Sequence, residues 1–424
     1  MSTISIVNAR IIDPATGYDE AGNILIEDGR ISAFGPNVEA RGDIIDAEGH
    51  ICAPGLIDMR VSTGEPGREN RETILTAAKA AAAGGVTSIV IMPETDPVID
   101  DMSLVDFITR RAEEAPVNVY AAGALTKGLD GQTLTEIGLM TEAGAVMFSN
   151  GTRPIADAQI MRRTLSYSAS FNALIANRAI EPSLSKDAVA HESDLSSRLG
   201  LAGAPAAAER IMAERDVALA ELTGGRLLID MISSAEALEV VRRAKSRDLE
   251  IACSVSINHL ALNEVDIGDY RTFAKLDPPL REESDRLALL KGINDGTIDV
   301  IVSNHDPRPA GEKRLPYSEA STGAVGLELL LAAGLSQVAD GRLDLMAFLA
   351  AVTSNPANLL GLESGLIKIG APADLIIFDP DRPWVCDSNA LLSRSKNTPL
   401  DGRRMTGRNH KTICQGRVVF DSSL

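Results

Sequence analysis

Apolar and polar positions alternate with a period of two through ISIVNARIID, GNILIEDGRISAFG and DIIDAEGHICAPG, and each run breaks at Gly or Asp-Gly. A period of two sends successive side chains to opposite faces of a strand, and Asp-Gly between two such runs is hairpin chemistry. The same pattern returns at the other end in GLIKIGAPADLIIFDP and KTICQGRVVFD. Residues 1–53 and 364–424 are therefore expected to form the two halves of one small β-sandwich. Between them, over residues 54–363, the apolar runs become continuous: VTSIVIMP, VNVYAAGAL, GAVMFSN, ASFNALIANR, GRLLIDMIS, LEIACSVS and IDVIVSNHDP. Ala- and Leu-rich helical stretches such as RETILTAAKAAAAGG, SSAEALEVVRRAKSRD and ESDRLALLKGINDG lie between them. Repeated strand and helix enclosed by two β segments predicts an α/β chain built on a (β/α)8 TIM-type barrel. Residues 182–225 read as a polar loop followed by a helix, and a long loop after a barrel strand belongs to the C-terminal face, where substrates bind.

Length and charge narrow the function. The 424 residues suffice for one large barrel with an accessory domain. A net charge of −18, a pI near 4.8 and no run of basic residues oppose a phosphate backbone, so nucleic acid is not an expected partner. No apolar stretch reaches the ~18 residues of a membrane span. MSTISIVNARIIDP reads as a strand rather than a signal peptide, so a cytoplasmic location is expected. Cys52, Cys253, Cys386 and Cys414 are scattered without C-x-x-C spacing and are expected to be core thiols.

The stretch PGLIDMRVSTGEPG ends an apolar strand and places Arg60 and Ser62 two residues apart, a spacing that can hold one ion between two side chains. Arg has no lone pair for a metal and a neutral Ser hydroxyl is a poor ligand, so this pair does not make a metal site.

PGLIDM, GGVTSIVIMPETDP, RLGLAGAPAAAERIMAERDVALAELTGGRLLIDMISSAEA, KLDPPLREESDRLALLKGINDGTIDVIVSNHDP, TSNPANLLGL and GLIKIGAPADLIIFDP occur in collinear order over essentially the whole chain. Together they resemble the dihydroorotase, or cyclic-amidohydrolase, branch of the amidohydrolase superfamily. The resemblance implies a barrel enzyme in which one or two divalent metals, zinc in this family, generate hydroxide beside an aspartate proton shuttle. It also implies where each group should stand. The family's H-x-H falls on Arg60 and Ser62, its F-S-D-D-G carboxylate near Asn150, and its H-x-E-D histidine on Arg178. The H-V-S-T histidine falls on Met231, and the T-D-H-A-P-H aspartate on Asn304, with His305 kept and the last histidine replaced by Arg308. The substrate-holding Arg and Asn become Gly64 and Glu94, while His259 survives from an H-H-L-type loop. No catalytic residues and no cofactor are therefore expected: Arg60, Ser62, Gly64, Glu94, Asn150, Arg178, Met231, Asn304 and His305 read as a vestigial pocket.

Arg60 and Arg178 could contact an anion, but the favoured reading pairs them internally with Asp58 and Glu181. Asp58, Glu181, Asp230, His305 and Asp306 are the residues from which a displaced metal site could be built. The scaffold's turns and strand patterns are intact while its chemistry is gone, which points to a folded, non-catalytic role. In some bacteria homologues of this kind associate with aspartate carbamoyltransferase, and the resemblance implies that partner together with homo-oligomerisation. The alternatives are an active dihydroorotase, or a hydantoinase- or allantoinase-type hydrolase, using shifted residues, and a binding module for a small anionic metabolite.

Overall fold

The seven apolar runs of the central segment and the strand within PGLIDMRV lie side by side as eight parallel strands in the computed structural model, which describes residues 3–423. They are β1 (Leu56–Val61), β2 (Val86–Ile91), β3 (Asn118–Gly123), β4 (Ala145–Ser149), β5 (Ile175–Arg178), β6 (Leu227–Asp230), β7 (Ile251–Ser256) and β8 (Val300–Val302). Each pairs with its sequence neighbour. The barrel closes where Val61 bridges His305 and the Ser62 amide donates to the His305 carbonyl at 2.8 Å. The strands read as unbroken apolar runs because both faces are covered. Val90, Met92, Ala122, Met147, Leu228 and Val302 fill the barrel, whereas Ile89, Ile91, Ile175 and Ile229 face the surrounding helices.

The first barrel helix, Ile74–Ala83, starts at a capping box between Thr73 and Thr76, and its alanines allow a close approach to the strands. After β5 the chain makes two short helices and a two-residue bridge, Ala190–His191 against Gly203–Ala204, before the long helix Ala206–Thr223.

Both termini share one eight-stranded sheet, with Ile51–Pro54 from the N-terminal segment paired to Leu375–Val385 from the C-terminal one. The halves expected to form a sandwich are thus continuous in their hydrogen bonding. Asp28 and Gly29 both have positive φ, 49° and 81°, as a type I′ hairpin turn requires. Alternation sorts the sheet: Ile6, Ile11, Ile24, Leu375, Ile377 and Ile413 form its own core, while Ile12, Ile51, Ile376 and Phe378 join the barrel's helix layer. Among the described residues no helix is long and apolar enough to cross a membrane.

Candidate functional site

The C-terminal ends of the barrel strands carry the residues singled out above, and two arginines dominate them. In β1 one extra residue is inserted between Asp58 and Val61 relative to β2, a bulge that re-aims Arg60. Arg60 is 4 % exposed. Its Nε donates to Asn304 Oδ1 at 3.2 Å and its Nη1 makes a short ion pair with Asp230. The other Asp230 oxygen accepts from Ser254 Oγ at 2.7 Å. Burial alone would lower the Arg60 pKa, but the carboxylates of Asp230, Glu94, Asp277 and Asp306 outweigh it and raise the pKa. The cation therefore spans the mouth from β1 to β6 and β8 and stays charged.

Arg178, at the end of β5 and 1 % exposed, donates Nη2 to Asp277 at 3.2 Å and Nη1 to the Met231 carbonyl at 3.5 Å, leaving its buried Nε without a partner. Met231 and Asn304 sit just past β6 and β8 with φ of 62° and 51°, left-handed conformations that are uncommon for side chains and concentrate at site-forming turns. Both arginines are internally paired, as expected, but not with the expected carboxylates. Asp58 accepts from the Arg60 and Ser303 amides within the barrel wall, and Glu181 caps its own short helix through Ser183. Proximity in sequence pairs Arg60 with Asp58 and Arg178 with Glu181, whereas the barrel fold brings in the actual partners, Asp230 and Asp277.

The remaining positions each have a local structural task. Asn150 accepts from the Leu125 and Thr126 amides at 3.0 and 3.2 Å and donates to Thr126 Oγ1 at 2.8 Å, tying β4 to the loop after β3. Glu94 accepts from the Thr152 amide and hydroxyl. Burial raises its pKa, against the opposing pull of Arg60 and Thr152. Gly64 leaves no room for a side chain, because a Cβ there would overlap the Arg68 carbonyl. His305 accepts from the Gly326 amide through Nδ1 at 3.2 Å, and its Nε2 lies 3.7 Å from the fully buried Glu72. That carboxylate is also held by Thr76, Ser393 and the Arg394 amide. His259 sets Nε2 against the Pro278 and Pro279 carbonyls, and burial pushes it down to about 4, so it is neutral near pH 7.

These residues do not fit the divalent metals that the fold family implies. The six positions at which the resemblance expects ligands hold two guanidiniums, a hydroxyl, a thioether and two amides, and the buried carboxylate of Asp230 is paired with Arg60. Asp58, Glu181, Asp230, His305 and Asp306 do not converge on one point among the described residues. In front of Ser62 lies a polar cavity of about 250 Å³ lined by Arg68, Arg71, Arg153 and Arg308 together with Glu94 and Asp306. Arg308 is tied to Asp306 at 2.6 Å and Arg71 to Glu312 at 3.0 Å. Of these six, Glu94, Asp306 and Arg308 stand out in the sequence, and Arg68, Arg71 and Arg153 do not. Those three arginines lie in loops with no local pattern to mark them.

Comparison with known proteins agrees with this scaffold. A family described as "Dihydro-orotase-like" matches residues 49–237, and an "Amidohydrolase family" matches residues 332–420. The chain is 40 % identical over 419 residues to a dihydroorotase of Geotalea daltonii, covering 98 % of this chain and 99 % of that one. It is also 40 % identical over 417 residues to a dihydroorotase of Pelotomaculum thermopropionicum, covering 98 % of each. Among solved structures, the L-hydantoinase (dihydropyrimidinase) of Arthrobacter aurescens superimposes with a TM-score of 0.90 at 25 % identity, over 99 % of this chain and 96 % of that one. The dihydropyrimidinase of Brevibacillus agri gives 0.86 at 20 % identity over 99 % and 95 %, a likeness of fold. With relatives matching end to end and the barrel and terminal sheet in place, the chain belongs to the dihydroorotase-like family of the amidohydrolase superfamily.

Proposed function

We propose that this chain is a non-catalytic dihydroorotase-like protein of pyrimidine biosynthesis that acts as a structural or regulatory partner of aspartate carbamoyltransferase. One observation carries the non-catalytic part: the Arg60 guanidinium, clamped by Asp230 and Asn304, spans the barrel mouth from β1 to the ends of β6 and β8. A permanent cation there repels a divalent metal, and the positions that would otherwise clamp an anionic ring are the side-chain-free Gly64 and the carboxylate Glu94. The partner follows from the family resemblance, in which a preserved scaffold with a silent centre serves assembly. The direct test incubates the protein with zinc, manganese or cobalt and follows opening of dihydroorotate, hydantoin and allantoin rings. No turnover is expected. Turnover that falls in His305→Ala or Asp306→Asn protein would establish the alternative, a hydrolase with shifted residues. For the partner, co-elution with aspartate carbamoyltransferase and a gain in transferase activity are expected, and a transferase that works fully alone and never co-elutes removes that part.

The arginine-lined cavity favours a second reading, capture of a small anionic metabolite. Its contacts would be Arg68 and Arg153, since Arg60 and Arg178 are committed to carboxylates. Thermal stabilisation by a small dicarboxylic acid, lost in Arg153→Ala protein, is its signature.

A further inference from the structure

Far from the barrel mouth, three strands of the terminal sheet bring two imidazoles and a carboxylate together. His50 immediately precedes the strand Ile51–Pro54, whose register, Ile51 opposite Phe378, sets His50 across from Asp379. On the other side of Leu375–Val385 runs the strand Arg404–Cys414, with Lys411 opposite Ile377 but Asn409 opposite Phe378. His410 is the extra residue of that bulge, a device that re-aims a side chain. The ligand atoms of His50, Asp379 and His410 all lie within 4.8 Å of one another. His50 Nε2 is 3.7 Å from Asp379 Oδ2, and the two rings stack with centroids 4.8 Å apart.

The state of His410 points to a ligand. Its Nδ1 lies 3.3 Å from Ser422 Oγ, whereas its Nε2 is buried and has no partner. A metal-bound imidazole typically has this arrangement, with one nitrogen held by an oriented neighbour and the other bare. Two imidazoles and one carboxylate suit zinc, with a fourth position left for water, and imidazole-rich sites also take nickel or copper. His50 and Asp379 are 27 % and 24 % exposed at their side chains, so an ion can reach them from solvent, and coordination turns the two rings from stacked to converging.

We propose that His50, Asp379 and His410 form a site for a divalent transition metal that ties the N-terminal arm of the chain to its C-terminal arm. One ligand comes from before the barrel and two from after it, so a bound ion closes a loop containing the whole barrel and restricts the unfolded chain. The site is independent of the silent barrel mouth and of any partner.

The test uses full-length protein stripped with a chelator and titrated with zinc chloride, and separately with cobalt chloride followed by visible absorption. One equivalent per chain, a rise in Tm and a four-coordinate cobalt spectrum are expected. His50→Gln and His410→Gln proteins, checked for native far-ultraviolet ellipticity, are each expected to lose binding. Ser422→Ala should keep the stoichiometry while weakening affinity about 10-fold, because it removes the neighbour that orients His410. Absence of zinc binding, or binding unchanged in the doubly substituted His50→Gln/His410→Gln protein, overturns the proposal.

Discussion

At the scale of single residues, the barrel mouth shows how a charge can be kept where a metal would otherwise be expected. Arg60 and Asp230 are 5 % and 3 % exposed at their side chains, so neither tolerates losing the other. Asp230→Ala strips the buried cation of its ion-pair partner and is expected to cost about 3–5 kcal/mol, whereas the double variant Arg60→Met/Asp230→Ala should recover most of it. Thermal melts of the three proteins decide this, and a single variant as stable as the parent would show that the pair does not hold the mouth. Asp58 gives a second prediction. Burial, only partly offset by the Ser303 and Arg60 amides, pushes its pKa from 3.8 up to about 6. Because its folded pKa is raised, the folded state binds the proton more tightly than the unfolded chain. The stability contributed by the protonated form is complete below about pH 4 and is lost as pH rises to about 6. Asp58→Asn cannot ionise, so relative to the parent it should gain about 3 kcal/mol between pH 4 and pH 7, at ~1.4 kcal/mol per unit. A stability difference that stays flat over that window would place the carboxyl in a solvated setting. Arg60, Arg178, Met231 and Asn304 were legible in the sequence, since the resemblance expects site residues at their positions. Their partners were not, because Arg60 and Asp230 lie 170 residues apart and only barrel closure joins them.

At the scale of elements, apolar runs located every barrel strand, because a parallel strand covered on both faces must be apolar throughout. VTSIVIMP contains Val86–Ile91 and LEIACSVS contains Ile251–Ser256. Bulges escaped that reading. The extra residues at Arg60 and His410 leave no mark in a hydrophobic pattern, since their cause is pairing with a neighbouring strand. The turn after β1 was legible only in part: Gly64 stood out as a missing side chain, but its reason is spatial. The Gly64 amide donates to the Glu72 carbonyl at 2.8 Å, and the Arg68 carbonyl closes over its Cα. Gly64→Ala is therefore expected to force this turn open and lower stability by about 1–3 kcal/mol, as overpacking does. A shift in urea midpoint measures it, and an unchanged midpoint would mean that the turn opens freely and that a larger side chain fits there.

At the scale of the whole molecule, the two ends predicted to belong together do so, and their sheet is bolted to the barrel by side chains that no periodicity reveals. Thr412 Oγ1 donates to the Ala82 carbonyl at 2.6 Å, and Asn409 Nδ2 donates to the Ala83 carbonyl at 3.1 Å, closing the end of the first barrel helix. The Thr406 amide donates to Ser336 Oγ at 2.9 Å on the helix Leu330–Ala339. Ile376 and Phe378 of the same sheet are buried in the barrel's helix layer, so separating sheet from barrel would expose apolar surface on both. The two parts should therefore unfold together. Trp384, the single tryptophan, lies in the sheet and donates Nε1 to the Gly407 carbonyl at 2.9 Å, so its fluorescence reports the sheet while far-ultraviolet ellipticity reports mainly the barrel helices. Coincident midpoints are expected for the parent protein. In Thr412→Val both should fall together by an amount corresponding to about 1–3 kcal/mol, because Thr412 Oγ1 both donates to the Ala82 carbonyl and accepts from Asn409 Nδ2. A tryptophan transition that moves ahead of the ellipticity change would instead mean that the sheet is an independent unit, and that the hydrogen bonds from Thr412 and Asn409 merely rest on the barrel.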